Sequence, residues 1–371
     1  MVDLKSQSQK IKSEIDIAIQ KVLNHGLFIN GPEVKEFAEN LAKYIGVKHV
    51  IPCGNGTDAL KASLVALELK DDDEVIVPAF TYIAPAEMVA FRKLTPVLVD
   101  VDDKTFNLST EELEKAITAK TKAIIPVHLF GQCCDMEPIM NLAKKYNLFV
   151  IEDNAQALGT EYIFSDGTKK HTGTIGHVGC TSFFPSKNLG CFGDGGAMFT
   201  NDDELAKKLK MIVNHGQTEK YQHTIIGCNS RLDTIQAAIL NIKLNYLNTY
   251  TSARKLVAKR YTDAFLDVAE LRTPMEENYS THVHNQYTLK IKNGKRDDLK
   301  VYLESKGIPS MIYYPLPLQK QSALKGLIRM ASTLDVATQL CDEVLSLPIH
   351  TEMMVSEQDY IIEEVLKFFK R

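Results

Sequence analysis

Apolar positions recur at helical spacing over Ile11–Leu23 (Ile11, Ile15, Ile19, Val22, Leu23), and the run stops near Gly26. A second helix is predicted from Gly31-Pro32, because proline is tolerated at a first helical position; Val34, Phe37, Leu41 and Tyr44 form its apolar face. The stretch HVIPCGNGTDALKASLVALEL reads as strand, tight turn and helix. Gly54, Asn55 and Gly56 make the turn, Thr57 and Asp58 open the helix, and Leu60, Leu64 and Leu67 line it. Further strands are predicted at EVIVPA, Pro96–Val101, Ala123–Val127 and Leu148–Ile151, with helical stretches at Thr110–Ile117 and Asp135–Tyr146. Strands alternating with helices predict an α/β fold with a parallel sheet and right-handed crossovers.

Two more apolar runs, Ser182–Pro185 and Gly196–Thr200, read as buried strands around a loop that carries Lys187, Gly190, Gly193 and Gly195. A helix is expected over Asp202–Val213, then a long one with Leu232, Ile235, Ala238, Ile239 and Ile242 on its apolar face. From about Thr249 the pattern changes to long helices with short strands at Asn285–Ile291 and Pro309–Tyr313. The expected division is a large domain over 1–248 and a small C-terminal α+β domain over 249–371.

Composition narrows the class. The 371 residues are 44% hydrophobic and 24% charged with a net charge of −4, which suits a globular enzyme and leaves no footprint for nucleic acid or an anionic membrane. No apolar run approaches the roughly 20 residues of a membrane span, and the N-terminal stretch lacks an apolar signal core. The expectation is a cytoplasmic protein. Seven cysteines with no CxxC pair, and a lone His282/His284 pair in a predicted strand, give no metal site.

The candidate chemistry gathers at strand ends, where α/β sheets bind ligands. Lys187, between strands and glycines, can be desolvated so that its free amine forms a Schiff base. Taken alone it also reads as a surface lysine in a hairpin. The N–H groups opening the helix at Gly56 and Thr57 suit a phosphate. Gly54-x-Gly56-x-x-Ala59 also fits a dinucleotide fingerprint, but Asp71, Asp72, Asp73 and Glu74 precede the next strand instead of ending it. His128 follows AIIPV; Glu152, Asp153 and Gln156 follow LFVI, where an acid can equally cap the next helix.

SFFPSKNLGCFGDGGAMFT, IEDNAQALG, GNGTDAL, GCNSRLD and YYPLPLQ together resemble the DegT/StrS-type sugar aminotransferases, and the resemblance spans nearly the whole chain. It implies the aspartate-aminotransferase fold type I, a mostly parallel seven-stranded sheet flanked by helices, and pyridoxal 5'-phosphate (PLP) as cofactor. By that resemblance Lys187 carries the cofactor and Asp153 pairs with its pyridine nitrogen. Tyr82 stacks on the ring and Gln156 meets its ring oxygen. Gly56, Thr57 and Ser182 cradle the phosphate, and Asn229 reaches the phosphate of a partner subunit in a homodimer. Phe28, His128, Arg231, Tyr313 and Tyr314 are candidate substrate contacts. A dehydrating branch has histidine where Lys187 stands, so transamination is implied, with glutamate as donor. NSRLD and PSKNLGCFGDGGA favour C3 of a UDP-linked 2-acetamido-3-keto hexuronic acid, for surface-polysaccharide synthesis. The alternatives are dTDP-3-keto-6-deoxyhexoses, 4-keto sugars, or a PLP-binding regulator without turnover. The chain departs from the family at Gly176-His177 and at Gln319, where relatives carry aspartate and histidine.

Overall fold

The structure, a computed structural model, describes residues 1–370. The helices, in chain order, are Leu4–Lys10 (α1), Lys12–His25 (α2), Pro32–Ile45 (α3), Gly56–Ala66 (α4), Ala84–Phe91 (α5), Thr110–Ala116 (α6), Met136–Tyr146 (α7), Asp203–Ile212 (α8), Thr234–Asn245 (α9), Leu247–Phe265 (α10), Arg296–Ser305 (α11), Asp335–Glu343 (α12) and Val355–Phe369 (α13). The strands are His49–Cys53 (β1), Glu74–Pro78 (β2), Thr95–Val99 (β3), Thr121–Ile124 (β4), Phe149–Asp153 (β5), Glu161–Ile163 (β6), Lys169–His171 (β7), Val178–Ser182 (β8), Gly196–Thr200 (β9), Gln217–Glu219 (β10), Gln222–His223 (β11), Leu271–Arg272 (β12), Tyr287–Ile291 (β13), Arg329–Met330 (β14) and Val344–Leu347 (β15).

Eight strands form the main sheet in the order β1-β9-β8-β5-β4-β2-β3-β14. Only β9 runs against its neighbours; every other pairing is parallel. The sheet has one strand more than the seven expected. The eighth, β14, is two residues long and comes from the C-terminal part, pairing Arg329 with Val97. So short a strand leaves no periodic signal in the sequence.

Local chemistry fixes the elements that carry the site. Pro32 stands at the start of α3 and left-handed Gly46 (φ 70°) closes it. One α3 face buries Phe37, Leu41 and Ile45 in a cluster with β1, β9 and α9 residues such as Val50, Phe199 and Leu240. Full burial of each such side chain contributes roughly 1.5–3 kcal/mol. The parallel strands bring apolar side chains to both faces: Val75, Val77, Ala123 and Ile125 to one cluster, Ile76, Val97, Val99 and Ile124 to another.

The C-terminal part has its own cluster, in which Val257, Tyr261 and Phe265 of α10 meet Tyr287, Leu289, Leu345 and Leu347. Leu247, at the start of the same helix, packs instead with the α3 cluster. Leu318, Leu334 and Leu340 return to the large core.

Several strand limits differ from expectation by a few residues, among them β3 (Thr95–Val99), β4 (Thr121–Ile124) and β13 (Tyr287–Ile291), and three differences bear on the site or on the C-terminal part. The strand expected at Ser182–Pro185 lies earlier, at Val178–Ser182; Phe183 is buried like a strand residue but already begins the Lys187 loop. Pro309–Tyr313 is no strand and makes one bridge, Met311 to Ser346. β5 runs two residues past Ile151, so Glu152 and Asp153 are its last residues.

Candidate active site

The carboxyl ends of β5 and β8 are neighbours, Asp153 pairing with Cys180, and this brings Asp153 beside the loop after Ser182. Asp153 is fixed by its backbone: its N–H donates to Pro126 O at 2.9 Å and its carbonyl accepts from the His128 N–H at 3.0 Å. Its side chain accepts the Ala155 N–H at 3.0 Å and is 8% exposed. Burial raises the Asp153 carboxyl above its usual range, and the Ala155 N–H, Lys187 and His128 oppose this. Lys187 sits in a turn closed by its own N–H to Phe184 O at 2.9 Å. Burial lowers its ammonium pKa, with the Asp153 charge opposing. The two groups therefore share one poorly solvated space. Each is displaced toward its neutral form, as a nucleophilic amine facing a buried acid requires.

Around this pair the fold gathers four elements. Gln156 Oε1 accepts the Phe130 N–H at 2.7 Å, and its Nε2 donates to Tyr314 Oη at 3.1 Å. Tyr314 also stands 6.2 Å, centroid to centroid, from Tyr82, which is 58% exposed. α4 points its N-terminus at the end of β8. Asn55 Oδ1 caps the Asp58 N–H at 2.8 Å, and the N–H groups of Gly56 and Thr57 meet no acceptor among the described residues. A Cβ on Gly56 would come 2.8 Å from Ser182 Cβ, so glycine lets the helix end and Ser182 close on one small space. Two unpaired N–H groups at a helix N-terminus beside a hydroxyl form an anion cradle.

Comparison with known proteins gives the family. The DegT/DnrJ/EryC1/StrS aminotransferase family matches residues 9–366. This chain belongs to that family. Similar proteins include a UDP-2-acetamido-2-deoxy-3-oxo-D-glucuronate aminotransferase of Pseudomonas aeruginosa, 46% identical over 94% of each chain. A UDP-N-acetyl-3-dehydro-alpha-D-glucosamine 3-aminotransferase of Acidithiobacillus ferrooxidans is 43% identical, over 95% of this chain and 93% of that protein. The crystal structure of a family aminotransferase from Brucella abortus matches with a TM-score of 0.95 at 42% identity, over 100% of this chain and 99% of that one.

The DegT/DnrJ/EryC1/StrS aminotransferases are PLP-dependent, and the residues present fit that cofactor. The cradle at Gly56, Thr57 and Ser182 suits its phosphate, buried Asp153 its ring nitrogen, exposed Tyr82 its ring, and Lys187 its aldehyde.

Other expected residues fall elsewhere. His128, an expected substrate contact, faces no cleft: it is fully buried, with Nε2 2.9 Å from Glu152 Oε2. The Cys134 N–H donates to its Nδ1 at 3.1 Å, so Nε2 carries the ring proton and donates to Glu152. Glu152, fully buried as well, also accepts the N–H groups of Gly173, Ile175 and Gly176 at 2.7, 2.7 and 2.6 Å. Burial pushes its carboxyl up, but the bonds from His128, Gly176 and Gly173 outweigh that and hold it below its usual range. Arg231 lines a cavity of about 610 Å3 beside α3 and β1, whose lining includes neither Lys187, Asp153 nor Thr57. Its Nε is buried without a partner. Asn229 is exposed, while the next residue, Ser230, accepts the Gly54 N–H at 2.9 Å. Phe28 is 47% exposed and pins α9 by accepting the Thr234 N–H at 2.9 Å. Tyr313 is half-buried, 5.9 Å from the Tyr314 ring.

Both departures from the family pattern have local explanations. His177 lies at the opposite end of β5, where its Nδ1 accepts the Val150 N–H at 3.0 Å and its N–H donates to Val150 O at 2.9 Å. Gln319 donates to Thr338 Oγ1 at 3.0 Å. Among the described residues no helix is long and apolar enough to cross a membrane, and no group of three or more His, Cys, Asp and Glu could hold a metal ion.

Proposed function

We propose that this aminotransferase moves an amino group from glutamate to C3 of a UDP-linked 2-acetamido-3-keto hexuronic acid, serving surface-polysaccharide synthesis. The observation that carries the reading is buried Asp153 beside the loop of partly buried Lys187, each displaced toward its neutral form, next to the α4 cradle. The Pseudomonas relative supports the sugar and the position, and the Acidithiobacillus relative supports the same carbon on a sugar without the carboxylate.

PLP supplies an electron sink for the carbon that loses or gains a proton. Asp153 would hold a proton on the ring nitrogen, because a cation beside it relieves the burial of its carboxylate. The Nζ of Lys187, released as a poorly solvated amine, takes the proton from the donor's Cα and later delivers one to C3 of the sugar. The N–H groups of Gly56 and Thr57, with Ser182 Oγ, hold the phosphate. Tyr82 covers one ring face and excludes water from it. Asn229 extends to the phosphate of the partner's site, so the working unit is a homodimer. Arg231, with a buried Nε and no protein acceptor, is a cation available to the sugar nucleotide.

A substrate panel tests this reading. UDP-linked 3-keto hexuronic acid should be aminated with glutamate, ahead of UDP-3-keto-N-acetylglucosamine and of dTDP- or UDP-linked 4-keto sugars. Exclusive turnover of 4-keto sugars would overturn the position, and a preference for the neutral 3-keto sugar would overturn the acid.

A further inference from the structure

The side-chain amide of Gln156 is held at both ends. Its Oε1 is taken by the Phe130 N–H, which sets the orientation of the amide and leaves Nε2 facing Tyr314 Oη. A phenol that accepts from an amide still has its own proton to give. No acceptor for that proton, nor for the second Nε2 hydrogen, occurs among the described residues. The Tyr314 ring is wedged between Phe80 at 6.1 Å and Tyr82 at 6.2 Å. Burial raises the hydroxyl's pKa well above its ordinary value; the Gln156 bond opposes this and the Asp153 charge adds to it. The hydroxyl therefore stays protonated, and stays a donor.

Two free donors, from residues 158 positions apart, thus meet within 3.1 Å of each other, beside Tyr82 and within reach of the Asp153 charge. We propose that Tyr314 is a positioning residue for the cofactor, its hydroxyl donating to the PLP ring oxygen beside the second hydrogen of Gln156 Nε2. The inference rests on the reading of Lys187 and Asp153 above and assigns Tyr314 to the cofactor, not to the sugar. Its chemical consequence is a competition for one proton. The ring oxygen and the Lys187 nitrogen joined to the cofactor share that proton, and each donor on the oxygen makes it less basic. Removing a donor raises the oxygen's basicity, so the shared proton is kept to a higher pH.

The visible absorbance of the holoenzyme, titrated with pH, reads that proton directly. In Tyr314→Phe the midpoint should rise by about 1 unit, the scale of one hydrogen bond. The ring contacts to Phe80 and Tyr82 remain in this variant, so its melting temperature should stay near wild type. Gln156→Ala should move the midpoint the same way, and the double variant by less than the sum of the two, because both act on one atom. Equilibrium dialysis of PLP should show Kd raised about fivefold in Tyr314→Phe. An unmoved midpoint in Tyr314→Phe overturns the proposal. So does an unmoved midpoint with a raised KM for the sugar, which would make Tyr314 a substrate contact. A wild-type holoenzyme whose visible band survives borohydride overturns the underlying reading of Lys187, and the inference with it.

Discussion

His128 Nε2 lies 2.9 Å from Glu152 Oε2, and neither side chain reaches solvent. The residue before Asp153 thereby gains four donors: one imidazole and three backbone N–H groups from the turn Gly173–Gly176. A buried carboxylate is tolerated only when so many donors surround it. The segment 126–128 is bolted to Asp153 through two backbone bonds, so the same network holds the acid of the site in place.

Adjacent acids should therefore respond oppositely to substitution. Glu152→Ala leaves four buried donors unpaired and should cost about 3–5 kcal/mol in urea unfolding. Asp153→Asn should leave the unfolding midpoint near wild type while slowing the half-reaction with glutamate by orders of magnitude in stopped flow. A fast half-reaction in Asp153→Asn would make that residue structural.

Lys243 gives a pH prediction. It is 2% exposed, and its Nζ donates to Gly190 O at 2.5 Å, bracing the Lys187 loop from α9. Burial lowers its ammonium pKa to about 8, with Cys191 opposing and Arg254 adding to the fall. The unfolded chain keeps the ordinary value near 10.5. Between these values the unfolded state binds more protons, so this group makes stability rise with pH across that window. Lys243→Met should flatten the rise, read as the difference in unfolding free energy between pH 7.5 and 10. Equal slopes in the two proteins would contradict it.

Much of this was legible in the sequence, for reasons that differ by residue. Parallel strands buried on both faces are near-continuous apolar runs, and β2 is fully buried along EVIVP. The frame of β8 was not legible, because Phe183 is buried although it lies past the last pairing of that strand, Ser182 with Gly196. Likewise the partners of Glu152 come from two turns, 24 residues before it and 21 to 24 after it, and no local pattern announces them. His128 looked like a site residue because it follows a strand end, but its ring turns into the interior. The bond from Gln156 to Tyr314 depends on a C-terminal segment folding back over β5, which only the tertiary structure reveals.

The shared-site proposal is open to complementation. Mixing Lys187→Ala with Asn229→Ala subunits gives mixed dimers in which one site carries both lesions and the other neither. Activity should reappear on mixing, above that of both parents. A monomer by light scattering with concentration-independent activity would contradict it.

Lys187, and no other lysine, should be the covalent anchor of the cofactor. Borohydride reduction of the holoenzyme followed by peptide mass mapping tests it most directly. One pyridoxyl-phosphate adduct per chain is expected, on the peptide containing Lys187, and none in Lys187→Ala although that variant still binds PLP. An adduct on any other lysine, or one that persists in Lys187→Ala, would contradict it.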